Sequence, residues 1–149
     1  MTAQTTLRLA ALDNVVAVKE ASSNRDQILE IIAGRPEGFS VLSGNDDETF
    51  DLMKNGADGI ISVASNIVPA MVTELAHDML EGREEEALAI HEKLTPLFRN
   101  CFVESNPIPT KAALSAMGLM CNELRLPLVP ASRSAYDLMT ETIKDLKLL

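Results

Sequence analysis

One lysine, Lys19, stands at the end of an apolar, β-branched run and is the residue best placed for covalent chemistry. The run, residues 15–18, reads Val-Val-Ala-Val and is typical of a strand buried on both faces of a parallel sheet. Side chains alternate along a strand, so Lys19 shares a face with Val15 and Ala17. An apolar pocket there would favour a neutral lysine amine, which attacks carbonyl carbons. The alternative is an ordinary lysine that marks the strand end and reaches water.

A second polar segment, Ser43-Gly44-Asn45-Asp46, follows the next apolar run. Its backbone N–H groups, which precede a predicted helix, are suited to holding a carboxylate or a phosphate. The alternative is an ordinary turn in which Asp46 or Asp47 caps the following helix. His77 and His91 lie on separate predicted helices, far from other metal-ligating side chains. We predict both at the surface and predict no metal site.

Three strand–helix units precede a helical region, and this alternation predicts an α/β fold with a parallel sheet. Three strands leave two unpaired edges, which tend to pair with other chains, so we expect a homo-oligomer or a partner chain. The predicted strands are residues 15–22, 39–42 and 59–63. The predicted helices are 5–12, 24–34, 49–55, 68–81, 84–102, 111–117 and 132–146.

Composition narrows the class of protein. The 149 residues are 46% hydrophobic, and 13 Lys and Arg stand against 22 Asp and Glu, a net charge of −9. That charge argues against nucleic acid or an anionic membrane as a partner. No apolar run approaches the roughly 20 residues of a membrane span, and the first residues do not resemble a signal peptide. Cys101 and Cys121 are predicted as buried thiols, which favours a reducing, cytoplasmic location.

Four segments taken together resemble the dihydrodipicolinate synthase family of pyruvate-dependent class I aldolases. They are residues 16–21 (Val-Ala-Val-Lys-Glu-Ala), 42–46 (Leu-Ser-Gly-Asn-Asp), 59–63 (Gly-Ile-Ile-Ser-Val) and 102–109 (Phe-Val-Glu-Ser-Asn-Pro-Ile-Pro). Their order and spacing match the C-terminal half of that family. The resemblance implies the C-terminal portion of a TIM (β/α)8 barrel, three parallel βα units in residues 1–82, followed by a C-terminal helical extension in residues 83–149.

The same resemblance implies a lyase of lysine biosynthesis via diaminopimelate that needs no cofactor. Lys19 matches the lysine that forms a Schiff base with pyruvate, and the derived enamine attacks aspartate semialdehyde. Ser43, Gly44 and Asn45 would line the substrate pocket, although many members have Asp where this chain has Asn45. Ile61 would contribute a backbone carbonyl near the lysine.

Two alternatives to this enzyme stay open. One is a related pyruvate aldolase that takes another aldehyde, and the other is an inactive half-barrel that persists as an oligomer. The family's Gly-Thr-Thr-Gly-Glu loop and its Tyr-Asn-x-Pro strand are absent from these residues. Tyr136 is the only tyrosine and matches no catalytic position. We therefore expect either a homo-oligomer or pairing with a missing N-terminal half.

Overall fold

The computed structural model describes all residues from 1 to 149, and strands and helices alternate as predicted in the first part of the chain. Short 3-10 turns, Asp46–Glu48 and Ala64–Asn66, follow the second and third strands. The main elements are α1 Ala3–Ala10, β1 Ala17–Glu20, α2 Arg25–Gly34, β2 Ser40–Ser43, α3 Thr49–Lys54, β3 Gly59–Ile60, α4 Pro69–Leu80, α5 Glu84–Asn100, α6 Ile108–Ala116 and α7 Arg133–Asp145.

Local capping chemistry sets several helix boundaries. The Asn24 side chain caps α2 by accepting a hydrogen bond from the Gln27 N–H at 3.2 Å. Gly56 and Gly82 follow α3 and α4 with positive φ values of 100° and 77°, which suits the residue after a helix. Both glycine stops were predicted. Helix α1 begins earlier than predicted because Thr2 caps it, accepting from the Thr5 N–H.

The three strands form a parallel sheet in the order β1-β2-β3. Lys19 lies opposite Leu42, and Leu42 lies opposite Gly59. Strand β3 is shorter than the predicted 59–63, so that prediction is wrong at its end. The Ile61 N–H still donates to the Ser43 carbonyl at 2.8 Å, and the chain then leads into the 3-10 turn Ala64–Asn66.

Helices cover only one face of this sheet. Val18 and Val41 face α1, α2 and α3, and Val41 is fully buried there. The opposite face carries Ala17, Lys19 and Ile61, and these three residues are exposed. The predicted burial of the first strand on both faces is therefore wrong for this chain, because none of its segments packs over the second face. Parallel sheets are normally covered on both faces.

A second, larger core joins the helical region to the end of the sheet. Its buried side chains come from the turn after β3 and from α4 to α7, and the predicted boundary between residues 82 and 83 falls in the turn between α4 and α5. Cys101 is buried in this core, as predicted. Cys121 is exposed in the segment between α6 and α7, so its predicted burial is wrong. The core comprises Ala64, Ile67, Val68, Val72, Leu94, Leu97, Phe98, Cys101, Ala113, Met139 and Ile143.

His91 lies between two aromatic rings, which corrects its predicted surface position. Its ring centroid is 5.7 Å from that of Phe50 on α3 and 5.6 Å from that of Phe98 on α5. Burial lowers the pKa of His91, while the negative charges of Asp47 and Glu92 oppose that shift. His77, by contrast, is exposed as predicted. Helix α5 therefore rests on α3 partly through a neutral imidazole.

We expect the free energy of unfolding to fall as His91 is protonated. The pKa of His91 is lower in the folded than in the unfolded state, so protonation favours the unfolded chain. The free energy of unfolding that depends on neutral His91 is fully present above about pH 6.5 and is lost as the pH falls below it. The ring is only partly buried, and solvent screening keeps this loss small. Urea unfolding of wild type and His91→Phe at several pH values measures this loss of unfolding free energy.

The variant keeps an aromatic side chain between Phe50 and Phe98 but cannot titrate. The difference between the two proteins isolates His91 from the carboxylates that also titrate in acid. His77→Phe serves as the exposed control and should follow the wild-type pH profile. A His91→Phe profile parallel to that of wild type would contradict the prediction.

None of the helices has the length and apolar character that a membrane crossing demands. No group of three or more His, Cys, Asp or Glu side chains is arranged to hold a metal ion.

Candidate active site

Lys19 and Gly44 lie in close contact at the carboxyl ends of β1 and β2. The Gly44 N–H donates to the Glu20 carbonyl at 2.7 Å, which draws the loop after β2 against β1. A Cβ added at Gly44 would lie 2.8 Å from Lys19 Cε and 2.7 Å from Ala21 Cβ. The lysine stem therefore occupies the space that any larger residue at position 44 would need.

Ser43 and Asn45, on either side of Gly44, stabilise the loop through hydrogen bonds. The buried Ser43 hydroxyl donates to the Asn45 carbonyl at 2.9 Å and lies 3.1 Å from the Thr49 hydroxyl. The Asn45 side-chain amide donates to Ser23 Oγ at 3.1 Å and to Glu48 Oε2 at 2.9 Å. The structure thus places Ser43 and Asn45 beside the lysine loop, with their side chains engaged in structural hydrogen bonds. Their role in lining a substrate pocket stays a prediction.

Ile61 follows β3 and shares the uncovered sheet face with Lys19. Gly59 lies opposite Leu42, which lies opposite Lys19, and Ile61 is two residues beyond Gly59. Its side chain is 44% exposed. One strand, β2, separates it from the lysine strand. The candidate site is therefore a surface formed by the ends of three neighbouring strands.

The expected apolar pocket around Lys19 is not formed by residues 1–149. Lys19 and Ala17 are both exposed, because their sheet face has no covering layer in this chain. Water therefore reaches the lysine stem from that side. On the Gly44 side the stem lies close to the loop after β2. The lysine is positioned by its strand and by the glycine loop, and it is not enclosed.

Asp46 joins this loop to the segment that follows β3. Its carboxylate does not cap the following helix but accepts hydrogen bonds from Ser62, Val63 and Ala64, after β3. The sequence signal that could have indicated this contact is the position of the two residues relative to their strands. Polar residues that follow neighbouring parallel strands meet at the same edge of a sheet. The Asp46 and Ser62 positions meet that condition.

Comparison with known proteins places this geometry in a family. The model of the dihydrodipicolinate synthetase family matches residues 1–146. The 4-hydroxy-tetrahydrodipicolinate synthase of Thermotoga maritima is 47% identical over 150 residues, which cover 98% of this chain and 51% of that protein. The crystal structure of dihydrodipicolinate synthase from Thermotoga maritima matches with a TM-score of 0.97 and 45% identity, covering 99% of this chain and 52% of the other.

A further solved relative is the chloride-inhibited dihydrodipicolinate synthase of Acinetobacter baumannii, complexed with pyruvate. It matches with a TM-score of 0.95 and 34% identity over 99% of this chain and 51% of its own chain. The chain thus spans about half the length of the relatives it matches. The sequence match and the shared backbone lead to one conclusion: this chain belongs to the dihydrodipicolinate synthetase family.

Proposed function

We propose that this chain supplies the nucleophilic lysine of a 4-hydroxy-tetrahydrodipicolinate synthase. The observation that carries the proposal is the position of Lys19, at the carboxyl end of a parallel strand with its stem against Gly44. Active sites of α/β barrels lie at that end of the strands. The family match over residues 1–146 supports the same assignment.

The proposed chemistry begins when the neutral Lys19 Nζ attacks the ketone carbon of pyruvate. The carbinolamine loses water to form an imine, and loss of a methyl proton converts the imine to an enamine. The enamine carbon then forms the new bond to the aldehyde carbon of aspartate semialdehyde, and the aldehyde oxygen takes up a proton. Pyruvate as the ketone is supported by the Acinetobacter baumannii relative, whose structure contains it. The aldehyde follows the name shared by the relatives.

We propose that the sheet is part of a (β/α)8 barrel. The uncovered face bearing Ala17, Lys19 and Ile61 would then be the barrel interior, which side chains from other strands fill. An open groove of about 260 Å³ lies beside β3 and is lined by Ile60, Val72 and other residues of α4. Side chains of a neighbouring helix would fill such a groove. The remaining strands would come from additional sequence or from a partner chain.

The exposure of Lys19 favours a second candidate for the chain by itself. A half-barrel with a solvated lysine can persist as an oligomer without catalysing the reaction. General acid–base groups and a carboxylate clamp would have to come from the remaining strands. The two candidates therefore differ in whether the chain is completed by strands that carry those groups.

The test is to mix this chain with the portion of the Thermotoga maritima enzyme that it does not match. We expect an equimolar complex in gel filtration and condensation of pyruvate with aspartate semialdehyde, because the added strands cover the Lys19 face. Each component alone is the control. The chain alone should elute as a species larger than its 16.2 kDa monomer. A complex without condensation would favour the inactive half-barrel, and a stable monomer that binds no partner would contradict both candidates.

A further inference from the structure

The Asp46 carboxylate joins two loops that follow neighbouring strands. The residue is 2% exposed. Its Oδ1 accepts a hydrogen bond from the Ser62 hydroxyl, and its Oδ2 accepts from the Val63 N–H at 3.0 Å and the Ala64 N–H at 3.1 Å. A buried carboxylate is stable only when hydrogen bonds satisfy it. These donors meet that need without a paired cation.

The loop after β3 depends on this carboxylate for its conformation. The 3-10 turn Ala64–Asn66 begins after Val63, whose side chain cannot accept a hydrogen bond. Asp46 therefore supplies the missing acceptor from another loop. Ser62 links Asp46 to the turn, because its Oγ donates to Asp46 and accepts from the Ser65 N–H at 2.8 Å. Charge-assisted hydrogen bonds of this kind are the stronger ones in proteins.

Asp46 is itself held firmly to the lysine loop. The carbonyl of the preceding Asn45 accepts from Ser43 Oγ and from Thr49 Oγ1, both at 2.9 Å. The last backbone hydrogen bond between β2 and the segment after β3 joins the Ile61 N–H to the Ser43 carbonyl. Beyond that point, hydrogen bonds to the Asp46 carboxylate connect the loop after β2 to the loop after β3. One loop touches Lys19 through Gly44, and the other begins at Ile61.

We propose that Asp46 is a positioning residue for the Lys19 site. Its carboxylate keeps the residues after Ile61 in register with Gly44, and Gly44 keeps the lysine stem in place. Asp46 lies buried and touches no reacting atom, so it acts through these two loops. The inference deepens the proposed function, on which its role in imine formation rests.

Asp46→Asn is the informative variant, because it keeps the size of the side chain and removes one of the two acceptor oxygens. Asp47→Asn is the matched control, with the same chemical change at the adjacent, exposed position. Hydrogen exchange reports on the Val63 and Ala64 amides. Trapping of pyruvate on Lys19 with borohydride, followed over a range of pyruvate concentrations, reports on the lysine. Urea unfolding gives the global stability.

We expect Asp46→Asn to speed exchange at Val63 and Ala64 by about tenfold or more. The trapping rate at saturating pyruvate should fall about tenfold, while the pyruvate concentration for half-maximal trapping changes little, because positioning and not pyruvate binding is lost. Asp47→Asn should stay close to wild type in both measurements. Faster exchange with unchanged trapping would show that Asp46 is structural only and would overturn the proposal.

Reductive methylation with formaldehyde and borohydride is run in parallel, since it requires no pyruvate site. If neither the wild-type chain nor its complex with the unmatched portion of the Thermotoga maritima enzyme takes up pyruvate, the proposed function fails. The methylation rate of Lys19 relative to Lys93, an exposed lysine on α5, then still decides the role of Asp46. If Asp46→Asn left the ratio of the Lys19 and Lys93 methylation rates unchanged, the proposed positioning role of Asp46 would be overturned. If that variant does not fold, Ser62→Ala replaces it. This change removes one donor to Asp46 and the acceptor of the Ser65 N–H, and it leaves the carboxylate bound to Val63 and Ala64. The same local effects should appear in smaller form, and their absence would equally overturn the proposal.

Discussion

Replacement of Lys19 by alanine is expected to abolish the pyruvate adduct that borohydride traps on the wild-type chain. Borohydride delivers hydride to the imine carbon and converts the C=N bond to a stable amine, so the label persists through mass spectrometry. Only a lysine that forms an imine acquires it. The position of Lys19 against Gly44, at the end of β1, is the reason to expect the label there.

Lys54→Ala is the matched control for this experiment. Lys54 is an exposed lysine whose ammonium pairs with Glu84 at 2.7 Å, away from the sheet face that carries Lys19. Its loss should leave the adduct unchanged. Peptide mapping of the wild type must place the label on Lys19. Labelling that survives in Lys19→Ala, or that maps to another lysine, would contradict the assignment of the nucleophile.

The same chain by itself should show negligible turnover even where trace labelling occurs. Lys19 is exposed, and the family's Gly-Thr-Thr-Gly-Glu loop and Tyr-Asn-x-Pro strand are absent from residues 1–149. Loss of general acid–base assistance alone costs about 10²- to 10⁴-fold in rate, and loss of substrate positioning adds to it. An assay of the chain with pyruvate and aspartate semialdehyde measures this. Stoichiometric labelling together with turnover near that of the complete relatives would show that the half-length chain rebuilds the site.

Gly44→Ala is expected to disturb both stability and the lysine. The added Cβ would lie 2.7 Å from Ala21 Cβ, 2.8 Å from Lys19 Cε and 3.0 Å from the Glu20 carbonyl oxygen. Because a backbone atom is among these neighbours, the loop after β2 has to move away from β1. Overpacking of this kind costs about 1–3 kcal/mol. Displacement of the lysine should lower the trapping rate by about 10²-fold.

Gly34→Ala provides the control for this substitution. Its added Cβ would lie 2.9 Å from Leu7 Cδ1, the flexible end of a side chain that can rotate away. Gly34 is the last residue of α2, where alanine is the better helix former. Urea unfolding should therefore show little or no loss of stability for Gly34→Ala, and trapping should stay at the wild-type rate. Equal effects of the two substitutions would contradict the contact between Gly44 and Lys19.

Local patterns in the sequence were enough to predict the succession of strands and helices and several of their ends. Asn24, Gly56 and Gly82 act on backbone groups within a few residues of themselves, so the sequence alone identifies them as helix boundaries. The position of Lys19 at the end of an apolar strand is equally local. The match of four segments to one family also needed no coordinates, since it depends on order and spacing alone.

Tertiary structure decided the features that depend on partners far away in the chain. The alternative interpretation of its loop had Asp46 or Asp47 capping the following helix, yet the buried Asp46 carboxylate accepts hydrogen bonds from Ser62 and from the two N–H groups after it. His91 was predicted at the surface, yet Phe50 of another helix encloses one side of its ring. In each case the position of the side chain is set by a contact with a segment many residues away and not by its sequence neighbours.

The environment of Lys19 likewise depends partly on local sequence and partly on tertiary packing. Its apolar neighbours in sequence predicted an apolar pocket, but alternation along a strand specifies only which residues share a face. Whether that face is buried depends on what packs over it, and in residues 1–149 nothing does. The sequence therefore determined where the lysine stands on the sheet, and the tertiary structure determined that water reaches it, because burial is a property of the layers around a strand and not of the strand itself.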